Sequence, residues 1–205
     1  MTKNPRRKRL FSTVIHILST AGIVMLVAFS VACNDKNPPD PSTLKVALLT
    51  PGPITDQAWN ANAYQALLTL KDSLGVHTSH VQTKTPADIE ENFRQYGRQG
   101  YHLVFGNGFE FQDAALRVAP EFPNTIYVNV SATATAPNVA ALEFAFGEGA
   151  YLAGIVAGSQ TKTNTIGVIG GMELPPVVTA FKAFEDGAKS VNPDITVLSS
   201  YLGNW

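Results

Sequence analysis

Residues 44–60 read LKVALLTPGPITDQAWN, and the reading of this stretch decides the fold. Leu44 to Leu49 is a short apolar run bounded by turn signals, the pattern of a buried strand. Thr50-Pro51-Gly52-Pro53 stops it, because proline lacks the N–H a ladder needs and breaks a helix interior. A helix is expected to start near Asp56. Thr55, Asp56, Trp59 and Asn60 then fall where a first strand hands over to a first helix. In an open parallel α/β sheet, ligands bind at that carboxyl edge of the strands. The stretch therefore reads as half of a small-molecule binding site.

Working outward, the first helix is expected over 57–74. Trp59, Ala63, Ala66, Leu67, Leu70 and Leu74 recur at helical spacing, and Gly75 is the stop signal. A strand is expected over 76–82. Thr85-Pro86-Ala87-Asp88 then opens a helix that turns Ile89, Phe93 and Tyr96 inward. A strand over 101–105, a helix over 109–118 and strands over 125–130 and 139–144 follow. This alternation predicts a doubly wound parallel sheet with right-handed crossovers. The pattern then resumes with a helix over 148–160, in which Ala150, Gly154 and Gly158 at four-residue spacing permit close packing. A strand over 165–170, a helix over 177–191 and a strand over 195–201 complete it. A parallel strand calls for a covering helix after it, so the sequence reads as a chain cut short at Trp205.

The N-terminal end has a different character. Five of the 15 basic residues (Lys3, Arg6, Arg7, Lys8 and Arg9) lie in the first nine positions. All 16 acidic residues follow residue 32, so the remainder carries 10 basic against 16 acidic residues, a net charge of −6. That balance argues against nucleic acid as a partner. The basic cluster precedes an apolar stretch from Phe11 to Val31, the n-region and h-region of an export signal over 1–32. Ser30-Val31-Ala32-Cys33 resembles the lipobox of bacterial lipoproteins, with Ser30 where that box usually has leucine. Two readings stand open: lipidation of Cys33 after cleavage, or retention of the stretch as an anchor, since about 20 residues span a bilayer. Arg6-Arg7 also matches the start of a twin-arginine signal, but Lys8-Arg9-Leu10 departs from its continuation. Residues 33–43, with three prolines, read as a tether. Cys33 is the only cysteine, so no internal disulfide is possible.

Four stretches resemble, in order and spacing, the basic membrane protein family of bacterial substrate-binding lipoproteins, which includes purine-nucleoside receptors of ABC importers. They are TPGPITDQAWNANAYQAL at 50–67, GNGFEFQDAALRVAPEFPN at 106–124, GEGAYLAGIVAGSQTKTNTIGVIGGMELPPV at 147–177 and AFKAFEDGAK at 180–189. The resemblance implies an α/β, type I periplasmic binding protein fold, in which two lobes close on a ligand. Lobe one, residues 44–143, would be nearly complete, and lobe two, from residue 144 to 205, incomplete. It implies capture of a small solute, a purine nucleoside, for delivery to an ABC permease, at a membrane held through the lipid anchor. No cofactor is implied.

Within that resemblance Asp56, Trp59 and Asn60 match the family's Asp-x-x-aromatic-Asn signature, with Trp59 stacking on the base. Read from the residues alone, Asp56 could instead simply cap the helix and Trp59 could instead be core. Gly108, Phe109, Glu110 and Asp113 follow the third strand, where glycine lets backbone approach a ligand. Phe109 and Phe111 lie two positions apart and cannot share a helix face, so one of them belongs to the core. Gly171 and Met172 follow the first strand of lobe two, and Trp205 resembles the family's second stacking aromatic. Such a chain is expected to bind nucleosides weakly or not at all.

Enzyme signatures are poor. Gly106-Asn107-Gly108 lacks the third glycine of a dinucleotide fingerprint, and so does Gly147-Glu148-Gly149. There is no G-x-S-x-G, no P-loop and no His-Cys cluster. The main alternative is a membrane-anchored sensory or regulatory protein that uses the same fold without transport.

Overall fold

A computed structural model of the chain describes residues 40–205. The export signal, Cys33 and the first part of the tether lie outside the described residues. Five parallel strands form one sheet in the order β2-β1-β3-β4-β5: β1 Lys45–Thr50, β2 His77–Gln82, β3 Leu103–Gly106, β4 Ile126–Val130 and β5 Val139–Leu142. The connecting helices are α1 Trp59–Leu74, α2 Pro86–Arg98 and α3 Gln112–Val118. A second unit follows: α4 Phe146–Gln160, β6 Thr165–Gly170, α5 Pro175–Val191 and β7 Thr196–Tyr201, with β6 and β7 paired in parallel.

The opening stretch sits inside the larger sheet. Side chains of β1 alternate between its faces. Ala47 and Leu49 join a core with Phe93, Val104, Phe111 and Tyr127 under α2 and α3. Val46 and Leu48 join Leu67 and Val76 under α1. Burying a side chain of this size contributes roughly 1.5–3 kcal/mol. The helices are punctuated as their sequences suggest. Gly75 ends α1 at φ 69°, a conformation that favours glycine. Thr85 and Asp88 form a reciprocal capping box on α2, with Pro86 in its first turn.

Several boundaries differ from expectation, each for a physical reason. Helix α1 starts at Trp59 rather than 57, because Gln57 takes a left-handed φ of 57°. The helix expected over 109–118 opens as a 3-10 turn, Phe109–Phe111, before α3. Phe111 is the core member of the phenylalanine pair. Strand β5 stops at Leu142, and Phe144 lies in the link to α4. Helix α5 includes both prolines at 175 and 176, where a missing N–H costs nothing. Helices α4 and α5 meet backbone to backbone. A Cβ on Gly158 would lie 2.7 Å from the Ala188 carbonyl oxygen, and one on Gly154 or Gly187 would run into the carbonyl of Phe184 or Tyr151. The Gly154 and Gly158 spacing read from the sequence is this contact.

Candidate functional site

A cavity of about 470 Å³ lies at the carboxyl edge of the larger sheet. Pro51 after β1, Gly108 after β3 and Ser131 after β4 line one side, with Asp56, Trp59 and Asn60 from the start of α1 and Phe109 and Glu110 from the 3-10 turn. Phe146 at the start of α4, Leu174, Pro176, Val177 and Ala180 around the start of α5, and Trp205 after β7 line the rest. The two α/β units thus share one cavity.

The α1 corner is held by a chain of hydrogen bonds. Asp56 accepts from the backbone N–H of Ala58 at 3.0 Å, Asn60 at 2.8 Å and Ala61 at 2.9 Å. Desolvation pulls its pKa upward, but these donors outweigh it and hold the carboxyl below its ordinary value. Asp56 therefore caps the helix while also lining the cavity. Trp59 Nε1 donates to the Asn107 carbonyl at 2.8 Å. Trp59 and Phe144 meet edge to face at a centroid distance of 5.9 Å, and Phe146 lies at 6.2 Å. Trp59 is absent from both core clusters and 37% exposed, so it belongs to the cavity wall. Buried Asn107 donates from Nδ2 to Oδ1 of buried Asn60 at 3.3 Å. Gly52 makes room for this pair, since a Cβ there would lie 2.8 Å from Asn60 Nδ2.

Beneath it, the Thr50 hydroxyl donates to the Gly52 carbonyl at 2.8 Å. With that proton committed, Thr50 Oγ1 accepts from His80 Nε2 at 2.9 Å. Burial lowers the His80 pKa, which favours the neutral ring. The histidine thus braces the turn that carries Pro51.

Glu110 crosses the cavity. Its Oε1 accepts the Trp205 indole N–H at 3.2 Å, 95 residues away in sequence. Burial pushes its carboxyl above the ordinary value, against the lowering effect of its own N–H and of Trp205. Trp205 also lies over Gly171, where a Cβ would run into the indole.

Of the residues singled out in the sequence, Asp56, Trp59, Asn60, Gly108, Phe109, Glu110 and Trp205 line the cavity. Gly171 lies behind Trp205, and neither it nor Met172 is part of the lining. Asp113 is exposed and also outside the lining. Its neighbour Gln112 does the local work, accepting from the N–H groups of Thr133 and Ala134 at 3.1 and 2.9 Å. Sequence reasoning missed Ser131, Phe146 and the α5 wall. Ser131 has a φ of 61°, rare for a non-glycine residue and frequent at ligand sites. Among the described residues no cluster of His, Cys, Asp and Glu could hold a metal ion, and no helix is long and apolar enough to cross a membrane.

The model of one family, described as ABC transporter substrate-binding protein PnrA-like, matches residues 43–205. The chain belongs to this family. Its members are solute-binding proteins rather than enzymes. Among curated relatives, the nucleoside-binding protein BmpA of Lactococcus lactis is 36% identical over 170 residues, covering 79% of this chain and 48% of the relative. A purine-binding protein of Brucella abortus is 33% identical, covering 79% and 47%. The transcriptional activator Med of Bacillus subtilis is 31% identical, covering 78% and 50%. The chain thus spans about half the length of the curated relatives it matches. Among solved structures, an ABC transporter solute-binding protein of Conexibacter woesei is 34% identical with a TM-score of 0.57, covering 80% of this chain and 56% of its own. The α/β periplasmic-binding-protein architecture follows from this likeness together with the parallel sheets.

Proposed function

We propose that this chain carries the ligand cavity of an ABC importer's substrate-binding protein, and that its solute is a purine nucleoside. The observation that carries the reading is Trp59: a half-exposed indole pinned by its N–H to Asn107, in the wall of a cavity bounded by both α/β units. A fixed aromatic face suits a planar base, and stacking of a base on an aromatic side chain contributes about 1–3 kcal/mol. Asn60, Ser131 and Glu110 supply polar groups around it. The BmpA and purine-binding relatives support the same class of solute. The domain limits at residues 143 and 144, lipidation of Cys33, an extracytoplasmic location and docking to a permease belong to this reading.

Saturation-transfer NMR with millimolar adenosine, guanosine and inosine tests it, because the method detects weak binding. Transfer to purine protons is expected, with loss in Trp59→Ala and none to glucose. Transfer undiminished in Trp59→Ala, or transfer to glucose equal to that to the nucleosides, would overturn it. The likeness to Med favours a second reading, a ligand-sensing regulator. Deletion of the gene separates the two: reduced uptake of labelled nucleoside marks transport, whereas unchanged uptake with altered transcription marks regulation.

A further inference from the structure

The cavity is crossed by one side-chain hydrogen bond, from Trp205 Nε1 to Glu110 Oε1. The two residues sit on different α/β units, Glu110 on the turn after β3 and Trp205 beyond β7. We propose that Glu110 is a positioning residue, which holds the Trp205 indole across the cavity and so sets the orientation of its second aromatic wall. The proposal rests on the ligand-cavity reading for its purpose but not for its test.

Five observations support it. The carboxylate is folded back over Gly108, where a Cβ would collide with Glu110 Oε2. Gly108 has a φ of 168°, extended backbone open to any residue, so glycine serves here to make space. On the other side, Gly171 gives the indole a flat seat that any side chain would fill. A small residue on each unit thus clears the path of one half of the bond. An indole has a single donor and no acceptor, so one well-placed oxygen fixes its rotation. The partner is half-buried, and burial raises its pKa. Asp56 is the other carboxylate in the lining, and backbone donors already occupy it.

The chain has two tryptophans, so a 15N-labelled sample gives two indole N–H resonances, assigned with Trp59→Phe and Trp205→Phe. Trp59 bonds to the Asn107 carbonyl within its own unit and is the internal control. In Glu110→Ala the Trp205 resonance is expected to move upfield and exchange with solvent faster, while Trp59 stays in place. Glu110→Gln keeps an acceptor oxygen and is expected to restore the Trp205 resonance. Gly108→Ala displaces the carboxylate and is expected to resemble Glu110→Ala. In the unmodified chain the Trp205 resonance should titrate with a midpoint above the ordinary glutamate value. A Trp205 resonance unchanged in Glu110→Ala, or without response to pH between 3 and 7, would overturn the proposal. A nucleoside titration that fails while these shifts occur would count against the solute and leave the Glu110–Trp205 pairing standing.

Discussion

The two α/β units obey one strand–helix grammar and reach different degrees of burial. In the first, residues 46–50 of β1 are all buried, with β2 and β3 on either side and helices on both faces. In the second, β6 and β7 are exposed or half-buried at every position except Gly170, with Ile169 73% and Leu198 60% exposed. Among the buried apolar residues only Ala188 and Ile195 lie beyond residue 142. The second unit is held mainly by glycine-mediated contact of α4 with α5. Burial is thus a property of neighbours: Val46 and Leu49 are core in the five-stranded sheet, whereas Ile169 and Leu198 are exposed in the two-stranded one.

The largest effect that sharpens this contrast is in the first unit. Phe93 is fully buried against Phe111 and Tyr127, and Phe93→Ala should cost about 3–5 kcal/mol in urea unfolding. The matched Leu198→Ala should stay within about 0.5 kcal/mol. A comparable loss for Leu198 would show that β7 is packed as tightly as the first sheet. Next, Gly187→Val should force α4 from α5 and cost roughly 1–3 kcal/mol in thermal unfolding, the usual range for overpacking. Smaller again is Asp56→Ala, which removes the α1 cap at about 1 kcal/mol. Because the folded pKa of Asp56 is lowered, its contribution is complete above the unfolded value near 3.8 and is lost as pH falls through the lower folded value. The stability gap between parent and variant should therefore close only in strong acid. Glu110 has the opposite sign. Its raised folded pKa makes the charged form a burden at neutral pH, relieved as pH falls through the folded value toward the unfolded one. Glu110→Gln should raise the midpoint of unfolding slightly at pH 7, and the gain should vanish near pH 4.

Much of this was legible in the sequence because it is local. The β1 run, the Thr85–Asp88 box, Gly75 and the glycine spacing of α4 each encode structure within a few residues. The site was legible only in part. Asp56, Trp59 and Asn60 announce themselves by following a strand and opening a helix. Ser131, Phe146, Pro176 and Val177 carry no such signal, since they reach the cavity through the packing of whole elements. Asp113 and Gln112 show the limit clearly. Both sit in the first turn of α3, and only the rotation of that helix decides which side chain meets the loop after β4. Phe144 and Phe146, spaced like Phe109 and Phe111, both touch the Trp59 ring because the link after β5 is irregular.

The most direct test of the central claim, that one cavity shared by both units holds a base against Trp59, is an intermolecular nuclear Overhauser experiment with adenosine. Cross-peaks between the purine H8 or H2 and the Trp59 ring protons are predicted. Purine contacts confined to residues outside the cavity lining, with none to Trp59, would contradict the account.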